Sequence, residues 1–77
     1  MLRFDRANVI GEEDLRTLVA KHGFSIANLS SRLTESGKLF EYRMVIRSQD
    51  RKSAELLSQH LRSLPEVIEF RISPTGD

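Results

Sequence analysis

A chain of 77 residues is one domain with one small core, which leaves roughly 3–5 kcal/mol of net stability and a tendency to lean on a partner. It has no cysteine, which excludes disulfide staples, thiolate metal sites and cysteine nucleophiles. Twelve basic against eleven acidic side chains give a formal charge of +1, far from the single-sign excess of a surface that neutralises many phosphates.

Leu2-Arg3-Phe4-Asp5-Arg6 alternates apolar and charged residues, which predicts a strand with Phe4 pointing inward. Ala7 to Gly11 breaks the alternation. Glu12-Glu13-Asp14 then places three carboxylates where a helix N-terminus concentrates partial positive charge, so a helix starts near Gly11. Leu15, Leu18, Val19 and His22 form its apolar stripe, and Gly23 is expected to end it as a left-handed cap. Phe24 to Leu33 reads as a second strand whose apolar residues change phase. A bulge near Ala27-Asn28 reconciles them. Glu35-Ser36-Gly37-Lys38 supplies a hairpin turn, and Leu39 to Arg47 alternates cleanly, with Phe40, Tyr42, Met44 and Ile46 on the core face.

Ser48-Gln49-Asp50 offers helix caps, and Ala54, Leu57, Leu61 and Leu64 make a second stripe over Lys52 to Leu64, with Leu56 at its edge. Pro65 has no N–H and biases Leu64 away from helical angles, so the chain turns there into a strand, Val67 to Ile72. That strand is expected inside the sheet. Ser73 to Asp77 reads as a frayed tail after a domain spanning residues 1–72.

The order strand, helix, strand, strand, helix, strand predicts an α+β fold of ferredoxin-like, ACT-like βαββαβ type: a four-stranded antiparallel sheet with two helices on one face. The other face stays uncovered. With Leu39 and Val45 on it, that face is expected to be partly apolar and to serve as an interaction surface. No apolar run reaches the roughly 20 residues that span a bilayer, and the N-terminus lacks the apolar stretch of a signal peptide. Its abrupt start on strand-like residues is expected of a segment from a longer protein.

Catalytic and metal chemistry find little footing. His22 and His60 lack the HxxxH or HExxH spacing that sets two imidazoles on one helical face. Glu12, Glu13 and Asp14 complement the helix dipole and lack the alternation of a calcium loop. No serine sits in a Gly-x-Ser-x-Gly elbow, and the scattered glycines form neither a phosphate loop nor a dinucleotide fingerprint. RNA-recognition domains share the topology and stack bases on exposed aromatics, but Phe40 and Tyr42 share the parity of the core face. A small metal-chaperone domain would need a Cys-x-x-Cys loop. Gly11, at the first strand–helix junction, is the candidate ligand-binding position, since a glycine there would let a small effector approach the backbone; a helix-start glycine without a ligand is the simpler reading.

Leu57 to Asp77, including Leu64-Pro65-Glu66-Val67, resembles the end of the C-terminal domain of the MgtC/SapB family of bacterial inner-membrane proteins. An early helix ending in Lys21-His22-Gly23-Phe24 and the strand Phe40 to Val45 are compatible with it. The same Leu-Pro-Glu-Val pattern is similar to ACT-type domains of stringent-response synthetases and amino-acid biosynthetic enzymes. The MgtC/SapB resemblance implies a transmembrane region upstream, absent from this chain, and an ACT-like domain on the cytoplasmic side of the inner membrane. It also implies an association with growth at low magnesium and with virulence. It transfers no site residues.

The expectation is therefore a non-enzymatic regulatory domain acting by self-association or by docking to another protein, without cofactor, metal or nucleic acid. The alternative is an ACT-type sensor of a small molecule such as an amino acid.

Overall fold

The alternation at the N-terminus produces β1 (Leu2–Asp5), whose Leu2 and Phe4 are buried while Arg3 and Asp5 face the other way. The computed structural model describes residues 1–73; the end of the predicted tail, from Pro74 on, lies outside them. Helix α1 (Glu12–Lys21) starts at Gly11, whose carbonyl accepts the Leu15 amide, and carries its three carboxylates in the first turn. It ends as the glycine predicts. Gly23 sits at φ +80°, its N–H bonds the carbonyl of Ala20, and the Phe24 N–H reaches back to Val19, which is the Schellman closure.

Next comes a long hairpin, β2 (Ser25–Thr34) against β3 (Leu39–Arg47). The predicted bulge is present: the register shifts between Ala27 and Ser30, with Asn28 at φ 57°. Asparagine is one of the few residues with a side chain that tolerates this region. One extra residue in β2 returns both Ile26 and Leu29 to the core. In the turn, Glu35, Ser36 and Gly37 all take positive φ.

Asp50 opens α2 (Lys52–Ser63): its Oδ1 accepts the Lys52 amide at 2.9 Å and its carbonyl accepts the Ser53 amide. Leu57 and Leu61 are buried, and Leu56, expected at the edge of the stripe, is 54% exposed. Leu64 is the extended C-cap before Pro65, and β4 (Val67–Phe70) follows.

The strands order as β2-β3-β1-β4, all neighbours antiparallel. The fold is the expected ferredoxin-like βαββαβ arrangement, with both helices on the face of Leu2, Phe4 and Tyr42. One expectation is corrected: β4 is an edge strand, hydrogen-bonded to β1 alone. Its apolar density misleads, because a register shift beside Phe4 turns Val67 and Phe70 to the core and leaves Ile68 54% exposed. The core is Leu2, Phe4, Leu15, Val19, Tyr42, Leu57 and Leu61. Tyr42 packs edge-on against Phe4 and Phe40 and donates its hydroxyl to the Ile10 carbonyl at 2.7 Å, pinning the β1–α1 loop to the sheet. Burial, with Glu12 nearby, pushes its phenol above the ordinary value.

Candidate functional site

The three residues singled out from sequence fall in separate places. Gly11 is an exposed helix start with ordinary extended backbone, φ −64° and ψ 155°, and a Cβ there would meet nothing within 4 Å. Nothing in its conformation demands glycine. Leu39 begins β3 at the hairpin end, opposite Asp5 and Thr34. Val45 lies at the other end of β3, and it alone of the three lines the main concavity of the molecule.

That concavity follows from unequal strand lengths. β3 has nine residues and β1 four, so β1 covers only Leu39–Tyr42. Beyond Tyr42, β3 is paired on one side by β2, and among the described residues nothing pairs its other side. On the far side of β1 the chain leaves β4 and makes a last rung, Met1 N–H to the Arg71 carbonyl at 3.0 Å and Arg71 N–H to the Met1 carbonyl at 2.9 Å. Past this rung, the second half of β3 and the segment Arg71–Ser73 stand apart. The cleft between them has a volume of about 990 Å³.

Its floor is apolar and reaches the core, with Val19, Phe24, Met44, Ile46, Leu57 and Leu61. Its rim is basic. Arg47, Arg51 and Arg71 line it against one carboxylate, Asp50, and Arg43 stands beside Met1 and Arg71 in an adjoining hollow. Burial lowers the affinity of the Met1 ammonium for its proton, with Glu41 opposing and Arg43 and Arg71 adding to the effect.

The uncovered sheet face carries Leu39 and Val45 toward the two ends of β3, with charged residues between them. Its centre is ionic. Glu41 accepts hydrogen bonds from Arg3 Nε at 2.8 Å, Arg32 Nε at 2.9 Å and Arg43 Nε at 2.7 Å, and Arg3 also reaches Glu69 at 3.0 Å. The Glu41 side chain is 0% exposed, while those of Arg3, Arg32 and Arg43 are 22%, 57% and 59% exposed. The carboxylate is thus roofed by guanidinium groups with water just beyond them. The bond from Arg3, supported by Arg43 and Arg32 and opposed by desolvation, holds its pKa down to about 2. Both oxygens are engaged, Oε1 by Arg3 and Oε2 by Arg32 and Arg43, so this is a cross-strand clamp. Its trace in sequence is a set of charges on one parity, Arg3, Glu41 and Arg43, which becomes a network once β2 brings Arg32 opposite Glu41.

A second constellation also escapes sequence reading. His22 Nε2 and His60 Nδ1 meet at 2.8 Å, with ring centroids 5.1 Å apart. The separation of the centroids places both nitrogens close to the line joining them, so one ring donates to the other and the lone pairs do not converge on a third point. Among the described residues no group of three or more His, Asp or Glu side chains could hold a metal ion. The pair ties the C-terminal end of α1 to α2.

A scan against protein-family models finds no match, and searches of the curated proteins and of the solved structures find none. No helix of the described residues is long and apolar enough to cross a membrane. The cleft between β3 and Arg71–Ser73 is therefore the candidate site on its own geometry.

Proposed function

We propose that this chain is a non-enzymatic regulatory and interaction domain, the ACT-like part of an MgtC/SapB-type inner-membrane protein, and that it works by docking to itself or to another protein. One observation carries the docking part of this reading: the cleft of about 990 Å³ that opens an apolar path to the core between β3 and the C-terminal segment. Phe24, Met44 and Ile46 are half-buried in its lining, over the covered Val19, Leu57 and Leu61, and a small domain gains stability from whatever completes their burial. The parent family, its place on the cytoplasmic side of the membrane and its link to growth at low magnesium rest on the resemblance of Leu57–Asp77. The mechanism is a population shift, in which the partner binds one state of the domain and biases what is attached to it.

The same volume favours a second reading. Pockets for small ligands run to about 300–1,000 Å³, so an ACT-type sensor of a small molecule such as an amino acid also fits. The placement differs from the family-based expectation at Gly11, which does not line the cleft.

Titration with the apolar dye ANS tests the docking reading. Dye fluorescence should rise on the native domain and saturate at one site. Ala54→Phe, which fills the cleft from α2, should abolish the rise while the far-UV circular dichroism stays native. Absence of dye binding to the folded wild type, or binding indifferent to Ala54→Phe, would contradict it. Repeating the titration with each amino acid as competitor separates the sensor reading.

A further inference from the structure

The open face of the sheet divides by charge into two halves. Arg32, Glu41, Arg3 and Glu69 stand in one row across β2, β3, β1 and β4, since Arg32 and Arg3 both pair with Glu41 and Glu69 pairs with Arg3. On the β1–β4 half Arg3 is shared between Glu41 and Glu69, and Asp5 adds a further carboxylate. The β2–β3 half is different. Its open-face positions carry Arg32, Arg43 and Arg47, all exposed, and the one carboxylate among them, Glu41, is 0% exposed. A molecule approaching this half meets guanidinium groups and no accessible acid.

Two of these groups are held in place. Arg32 and Arg43 each donate Nε–H to the same atom, Glu41 Oε2, at 2.9 and 2.7 Å, so they stand side by side above it. Among the described residues neither donates a hydrogen bond through Nη, which leaves the outer edge of each fork free for a carboxylate. The buried acid restricts both long side chains before any partner arrives, so less rotamer freedom is lost on binding. Opposite Arg43 and Val45 lie Ser30 and Ala27, too small to cover them. Arg47 is on the same side of β3, about 13 Å further along at strand rise, and forms no ion pair among the described residues.

We infer that the β2–β3 half of the open face docks an acidic segment of a partner protein, its carboxylates pairing with Arg32, Arg43 and Arg47. Charge complementarity names the occupant. A nucleic-acid strand fits less well, because every phenylalanine and tyrosine ring packs in or against the core and none is left on this face to stack a base. The inference is independent of the cleft, which this stripe of arginines meets only at Arg47.

The probe is a rhodamine-labelled hexaglutamate, followed by fluorescence anisotropy on the full chain at neutral pH. It should bind saturably, and raising the salt from about 50 to about 200 mM should weaken it several-fold. Arg32→Gln and Arg43→Gln should each weaken it roughly three- to tenfold with native circular dichroism. Arg47→Gln cannot disturb the Glu41 clamp, in which Arg47 takes no part, and should weaken the peptide as well. Arg16→Gln makes the same change in net charge on α1 and should alter nothing. Ala54→Phe, which fills the cleft, should also leave binding unchanged. Absence of binding at low salt, or an equal loss in Arg16→Gln and Arg43→Gln, would overturn the inference. Loss of binding in Ala54→Phe would place the peptide in the cleft and overturn it too. A single-stranded oligonucleotide that binds more tightly than hexaglutamate at equal salt would assign the stripe to phosphates instead. A mass that rises with concentration in the wild type, but not in the triple variant Glu12→Gln, Glu13→Gln, Asp14→Asn, would assign it to the first turn of α1 in a second copy and overturn the foreign partner.

Discussion

Phe4→Ala is expected to leave the chain unfolded at 25 °C, with a far-UV circular dichroism spectrum lacking helix and amide proton shifts collapsed to the random-coil range. Phe4 is 0% exposed on an inner strand, edge-on to Tyr42 with ring centroids 6.0 Å apart, and in one core cluster with Leu15, Leu57 and Leu61. Truncating a buried phenylalanine costs about 3–5 kcal/mol, the lost transfer energy plus the cavity. A domain of 77 residues has roughly that much stability in total. Phe4→Leu conserves most of the volume and should stay folded with a lowered Tm. A cooperative melt in Phe4→Ala within a few degrees of wild type would show that the core lies elsewhere.

Removing the charge of Glu41 comes second in size and carries a pH signature. Glu41→Gln or Glu41→Ala leaves three guanidinium groups facing one another across β1, β2 and β3. Arg32 and Arg43 are more than half exposed and can turn into water, whereas Arg3, at 22% exposure, has less freedom. The loss is therefore smaller than three charged hydrogen bonds in a core would imply. A fall in Tm of roughly 5–15 °C at neutral pH is expected. The carboxyl is held down to about 2 in the fold against an ordinary 4.5, so the folded state binds this proton more weakly than the unfolded one. Its stabilisation is complete above pH 4.5 and is lost as the pH falls toward 2. Wild type and Glu41→Gln should differ most above pH 5 and converge across that window. A Tm difference that persists at pH 2, or no difference at neutral pH, would mean that the clamp contributes nothing by its charge.

Much of the fold is legible locally. The phase change in β2 announces the bulge that Asn28 makes, Gly23 announces the left-handed cap, and Pro65 announces the end of α2. These are properties of backbone conformation, and neighbouring residues report them. The errors are non-local. The edge position of β4 depends on which strand it pairs with, and its run of apolar residues looks the same at an edge as inside. The Glu41 clamp needs the register of three strands at once. The contact of His22 with His60 needs the packing of two helices. The cleft is the least legible feature, since it arises from a difference in length between β1 and β3 and from the path of Arg71–Ser73. Of the predicted site residues only Val45 lines the cleft, and it shares the open-face parity of Glu41 and Arg43.

The central claim is that a partner docks on the cleft between β3 and Arg71–Ser73. Amide chemical-shift mapping during titration with ANS tests it most directly. The account predicts that the largest shifts fall on Arg43–Arg47, on Ile72 and Ser73, and on the α2 residues Ala54, Leu57 and Leu61. Shifts centred instead on Arg3, Glu41 and Arg32, or on the loop around Gly11, would contradict it.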